Sequence, residues 1–204
     1  MRRIFDFGIL FYRLKPSLQP RKDASIDGTA TLGQSKIENQ KSKIQCLFAY
    51  RLLLTLALTV FALDQVTKTW IDARLPLGTY GLAHGAIEVI PGFFHLVHVG
   101  NTGAAWSLFT GKSFFLALLA LATLGAIFIW RRALGLQDRT AQLAFGLLCG
   151  GIVGNLVDRF LHGHVIDFID LHFGAYVYPT FNVADAGICI GVGIYLWHSL
   201  RHPQ

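Results

Sequence analysis

Charge is what this sequence has least of. Only 15% of its 204 residues are Asp, Glu, Lys or Arg, against 53% hydrophobic, and the mean hydropathy is +0.47. A water-soluble domain ordinarily carries about a quarter charged residues, so composition alone points away from soluble folds and toward the membrane. Cysteine is also scarce. Cys46, Cys149 and Cys189 lie far apart, two of them inside apolar runs, which leaves no zinc spacing and no disulfide framework. Cys46 directly precedes an apolar segment, as acylated cysteines do, but one such position reads as an incidental thiol. Evenly spread positive charge is missing too. The net charge is +6, yet ten of the eighteen Lys and Arg fall within residues 1–51, and Arg131, Arg132 and Arg139 share one short polar loop. That distribution encodes topology and argues against a nucleic-acid partner.

The first 45 residues stand apart. From Lys15 to Lys43 the chain is polar and without helical or strand period, which predicts disorder. Ile4 to Tyr12 is apolar but too short to span a bilayer, and no cleavage-site pattern follows it. A start assigned too far upstream produces such a tail equally well. The expected organisation is therefore a polar extension, 1–45, and a membrane domain, 46–202.

That domain holds four apolar segments, at 47–71, 114–130, 141–160 and 183–198. Each is near the length that a hydrocarbon core of about 30 Å requires, the last being short. The expected fold is mainly α: four transmembrane helices with a small β element on the outer face. The basic tail, the Arg131–Arg139 loop and Arg201 predict cytoplasmic termini, so 72–112 and 161–182 face outward. Within the first outer loop, 93–99 is aromatic and β-branched between Pro91-Gly92 and Gly100-Asn101, which predicts a strand.

Polar residues near these segments are the candidates for function. Asp64 and Lys68 share a helix face at i,i+4 and can pair, which is sufficient to explain both structurally. Gly150 and Gly154 form a small-xxx-small pair that permits close helix contact. Asn155, Asp158 and Arg159 project from the same helix. Asp158 and Arg159 read as an interfacial anchor, while Asn155 suits a helix–helix hydrogen bond or a substrate contact. Asn101, in Asn101-Thr102-Gly103-Ala104-Ala105, is either a turn residue or an amide that holds an extended peptide.

Asp167 and Asp185 lack a cation at helical spacing. Asp185 lies in the first turn of the last helix with Asn182 as its N-cap, where the helix dipole favours an anion. Asp167 sits among Val165, Ile166, Phe168 and Ile169, an apolar setting that raises a carboxyl pKa. No cysteine or serine and only one histidine accompany them, which leaves water activated by two acids as the simplest chemistry. A helix-starting Asp185 and a turn-capping Asp167 fit the spacing equally well.

Five segments together resemble lipoprotein signal peptidase (signal peptidase II). They are Asp64-Gln65-Val66-Thr67-Lys68, Asn101-Thr102-Gly103-Ala104-Ala105, 151–159, Val165-Ile166-Asp167-Phe168 and Phe181-Asn182-Val183-Ala184-Asp185, in the family's order over about residues 47–200. The resemblance implies a four-helix aspartyl endopeptidase of the bacterial inner membrane, without metal or other cofactor. Such an enzyme cleaves diacylglyceryl-modified prolipoproteins before the lipobox cysteine, and its partners are that substrate and membrane lipid. By position, Asp167 and Asp185 match the catalytic pair. Asp64, Lys68, Asn101, Asn155, Asp158, Arg159 and Asn182 match residues that bind substrate or support the site. A monomer is expected. Two departures stand out: the long polar N-terminus, and Trp106 where the family commonly has a smaller aromatic.

Three other classes compete. A proton-coupled transporter also carries intramembrane acids, but here they gather at one face, and no acidic ladder crosses the bilayer. A scaffold would use Gly150 and Gly154 for association alone. A head-group transferase would need a divalent metal held by carboxylates on adjacent helices.

Overall fold

The apolar runs become helices because they are long, rich in Leu and Ala, and free of internal proline. A computed structural model describes residues 49–104 and 108–201. The expected disorder of 1–45, Cys46 and Trp106 all lie outside the described residues. The elements are α1 (Arg51–Arg74), β1 (Ile87–Ile90), β2 (Phe94–Asn101), α2 (Ser113–Ile129), α3 (Arg139–Leu161), β3 (Val165–Phe173), β4 (Tyr176–Val177) and α4 (Val183–Arg201).

Three of the helices, α1, α3 and α4, are long and apolar enough to cross a membrane. The fourth apolar helix, α2, has 17 residues. At 1.5 Å per residue it reaches about 25 Å, less than the hydrocarbon core of about 30 Å. α3 is the central helix, packed against α1, α2 and α4. Its glycines set the spacing. A Cβ on Gly150 would lie 2.6 Å from the Ala57 carbonyl oxygen of α1, and one on Gly151 would meet the Ala184 carbonyl oxygen of α4. Side chains at those positions would push the helices apart, so the small-residue pattern does permit close contact. The outward faces of α1, α2 and α4 carry Leu58, Val66, Phe114, Phe128, Ile190 and Trp197, all exposed, an apolar exterior suited to lipid.

The positively charged ends gather together. Gln142, near the start of α3, donates to the Ala49 carbonyl beside the start of α1. His198, near the end of α4, lies 3.7 Å from Asp138, which N-caps α3. Arg51, Arg139 and Arg201 thus belong to one end of the bundle, and the sheet lies at the other.

That sheet is larger than expected. The strand anticipated at 93–99 is β2, but it lies in a four-stranded antiparallel sheet, ordered β1-β2-β3-β4. Asp167 does not cap a turn; it stands within β3. The sequence carries no strand signal here because Val165, Ile166, Phe168 and Asp170 are all buried, giving no clean alternation of polar and apolar residues. A one-residue bulge in β2 shifts the pairing from Leu96↔Ile169 to Val99↔Asp167 and Asn101↔Val165. Directly opposed residues share a face, so the bulge brings Asn101 onto the face of Val165 and Asp167. Unbulged, the same residue would point to the other side of the sheet.

Candidate active site

Asp167 from β3 and Asp185 from the first turn of α4 line one cavity of about 740 Å³, together with Asn101, Asn155 and Arg159. Each carboxylate is held by amides. Asn101 Nδ2 donates to Asp167 Oδ2 at 2.9 Å, and Asn182 Nδ2 donates to Asp167 Oδ1 at 2.7 Å. Asn155 Nδ2 donates to Asp185 Oδ1 at 2.7 Å. Asn182 is the helix cap read from sequence. Its Oδ1 accepts from the Asp185 backbone N–H at 2.9 Å, while Asp185 Oδ2 accepts from the Asn182 N–H at 3.3 Å. This reciprocal pair is a capping box, so one local motif both starts the helix and orients a site carboxylate. Asn182 therefore touches both acids.

Behind the amides lies a buried ionic cluster. Lys68 Nζ is 2.8 Å from Asp64 Oδ2 and 2.7 Å from Asp158 Oδ2, and all three side chains are at most 2% exposed. The i,i+4 pair anticipated on α1 is present, and the third member comes from α3. Asp158 is thus not an interfacial anchor beside Arg159. Its other contacts are the Gln65 amide and the Ile166 backbone N–H, which ties α3 to β3. Arg159 points elsewhere, donating to the carbonyls of Asn155 and Gly103. Asp64 Oδ1 accepts from the Ala184 N–H in the first turn of α4. Excluded from water, such a cluster persists because every charge has close partners.

Lys68 also reaches the site. Its Nζ donates to Asn155 Oδ1 at 2.9 Å, and Asn182 Nδ2 approaches the same oxygen at 3.3 Å. With the oxygen occupied by donors, the amide nitrogen of Asn155 must face Asp185. A chain of contacts thus runs from α1 through α3 to the carboxylate on α4. Gln65 was not singled out from sequence, although it bridges Asp64, Asp158 and the Gly154 carbonyl. A polar residue beside an intramembrane Asp–Lys pair is the signal that could have marked it.

Burial raises the Asp167 pKa from 3.8 to about 7, and the negative charge of Asp185 pushes it in the same direction. The amides of Asn101 and Asn182 oppose that shift without cancelling it. Asp167 therefore exchanges its proton near neutral pH, the property a general acid or base needs. The rest of the cavity is mostly apolar, with Leu171, Phe173, Phe181, Ile188 and Cys189 in its walls. Because Ile188 and Cys189 belong to α4, the apolar wall extends along a helix long enough to cross a membrane.

Residues 56–201 match the family model described as Signal peptidase (SPase) II. A lipoprotein signal peptidase of Symbiobacterium thermophilum is 40% identical over 148 residues, covering 72% of this chain and 93% of that relative. The lipoprotein signal peptidase of Azoarcus sp. is 44% identical over 157 residues, covering 72% of this chain and 82% of its own. Among solved structures, a bacterial membrane enzyme obtained by the in meso method superposes with a TM-score of 0.66 at 34% identity, covering 73% of this chain and 87% of the other. The matched span carries both aspartates, the amides that hold them and the buried ionic cluster, and the chain belongs to the signal peptidase II family.

Proposed function

We propose that this protein is an aspartyl endopeptidase that removes the signal peptide from diacylglyceryl-modified prolipoproteins, cutting before the lipobox cysteine. The observation that carries the reading is the meeting of Asp167 and Asp185 on one cavity, with one of them titrating near pH 7. Family membership supports the substrate class. Two close carboxylates do not both ionise cheaply, so they hold one proton between them near neutral pH. The ionised partner takes a proton from a water, and the protonated partner polarises the scissile carbonyl as the water attacks. The titration belongs to the pair, and neither residue is assigned the base. Carboxylates and amides supply every group this reaction needs, so no metal is assigned to it.

The remaining residues position. Asn101 and Asn182 fix the Asp167 carboxylate, and Asn155, oriented by Lys68, fixes that of Asp185. The apolar wall of the cavity suits the lipid chains of the substrate cysteine. Their burial far from the scissile bond holds that bond against the acids, a use of binding energy that raises turnover. In this reading all four apolar helices span the inner membrane, α2 with its flanking residues. The Arg-bearing ends and both termini are cytoplasmic, and the sheet and site face the periplasm. The chain acts as a monomer surrounded by lipid, and its polar first 45 residues are an extension outside the peptidase domain.

The test is cleavage of a diacylglyceryl-modified lipobox peptide by the full chain purified in detergent, with excess chelator and mass analysis of the products. The expected product begins at the modified cysteine, and the unlipidated peptide is cut at least tenfold more slowly. Equal cleavage of both peptides, or a cut elsewhere, would refute the assignment of substrate.

A further inference from the structure

A second cluster of chemistry-bearing side chains lies in the sheet, away from the aspartates. His95 of β2 is paired in register with Asp170 of β3, and His172 stands two residues further along β3 on the same face. Glu88 of β1 is the register partner of His95 on its other side. One ligand atom from each of His95, Asp170 and His172 lies within 4.8 Å of the others. Asp167, Leu171 and Phe173 line the cavity, whereas Asp170 and His172 occupy intervening positions of the same strand. Alternation therefore turns this cluster to the reverse of the sheet. The bulge in β2 makes the separation possible, since it lets His95 and Asn101 face opposite sides although six residues apart.

The cluster is not satisfied by its own contacts. Asp170 Oδ2 takes up His172 Nε2 at 2.7 Å, but Asp170 Oδ1 has no hydrogen-bond partner among the described residues. Neither ring nitrogen of His95 has one either, and His95 is 5% exposed and Asp170 1%. Buried polar atoms ordinarily find partners, so three orphans in one spot call for an occupant. Beyond these three residues, Glu88 Oε1 lies 3.5 Å from His95 Nε2 and also accepts from the Gly92 backbone N–H at 3.0 Å.

We propose that His95, Asp170 and His172 bind a divalent transition-metal ion of the zinc class, with Glu88 as a fourth ligand. Two imidazoles and two carboxylates suit a borderline cation in a tetrahedral site and neutralise its charge. Ligand atoms around such an ion stand about 3.3 Å apart, so side-chain adjustments of about 1 Å bring His95, Asp170 and His172 around it. The ion joins β1, β2 and β3 from the face opposite the cavity. It touches neither Asp167 nor Asp185 and takes no part in peptide hydrolysis; its role is to stiffen the strands that carry Asn101 and Asp167.

The test uses the full chain in detergent, stripped with chelator, dialysed and titrated with Co2+ and then Zn2+. One Co2+ per chain with visible ligand-field bands, displaced by Zn2+, is the expected result, with a Zn2+-dependent rise in thermal midpoint. His95→Gln and His172→Gln should each weaken binding by at least the roughly 100-fold that loss of an outer-shell partner can cost. Asp167→Asn should bind as the parent does. Because His172 is partly exposed, its variant is expected to keep parental peptidase activity in chelator, showing that it folds. No stoichiometric Co2+ or Zn2+ binding by the parent would overturn the proposal, as would binding undiminished in both histidine variants.

Discussion

Asp167→Asn and Asp185→Asn should each lower the rate of prolipoprotein cleavage by about 10²–10⁴-fold or more, the contribution expected of a positioned acid or base. The two amides fail for different reasons. At position 167 an amide cannot give up or take the proton that the two acids share near neutral pH. At position 185 it keeps an oxygen for Asn155 Nδ2 but removes the second charge of the pair. Both variants should remain folded, with Asp185→Asn the milder, because its strongest contact survives and the other is a 3.3 Å bond. Turnover of a lipidated peptide beside a thermal melt in detergent separates loss of chemistry from loss of fold. Activity within tenfold of the parent in either variant would make that residue structural.

Lys68→Met should act in the opposite sense, through stability first. The substitution conserves much of the volume but leaves Asp64 and Asp158 facing each other at 0–2% exposure without their shared cation. Breaking a buried ion pair by removing one partner costs about 3–5 kcal/mol. For a chain of this size that corresponds to a fall in thermal midpoint of roughly 6–20 °C. The variant that still folds should also lose turnover, since Asn155 is then no longer held with its amide nitrogen toward Asp185. A thermal midpoint unchanged by Lys68→Met would mean that the cluster contributes far less to holding α1, α3 and α4 together than its geometry implies.

What could be read from the sequence divides along physical lines. Local relations were legible. The Asp64–Lys68 spacing, the Asn182 cap and the Gly150–Gly154 pair each follow from helix geometry over three or four residues, and each is present. Helix bounds were near the mark, although α4 runs to Arg201 rather than ending at 198. Long-range relations were not legible from spacing. Asp158 completes the Lys68 cluster from α3, about 90 residues along the chain, and beside Arg159 it looked like an anchor. β3 is buried on both faces and so lacks the alternation that marks a half-exposed strand. The bulge that carries Asn101 to Asp167 and turns His95 away from it exists only in the pairing of two strands. Spacing alone left Asp167 and Asp185 balanced between structural and chemical roles, and it was resemblance that singled them out. The shared cavity and the proton near pH 7 favour the chemical reading.

That proton also sets a sign for stability. Asp167 gives up its proton at about pH 3.8 unfolded and about pH 7 folded. Its contribution to folding is complete below about pH 3.8, declines as pH rises, and is lost above about pH 7. In the proposed mechanism the same step governs chemistry, because above it both carboxylates are ionised and none is left to polarise the carbonyl.

The measurement that reads the pair most directly is therefore kcat/KM for the lipidated peptide from about pH 6 to about pH 9, in excess chelator and with folding checked at each pH. The dyad predicts a fall of tenfold per pH unit on the alkaline side, with an apparent pKa near 7 that belongs to the two aspartates together. A rate constant flat across that range would contradict one shared proton, and with it the aspartyl mechanism.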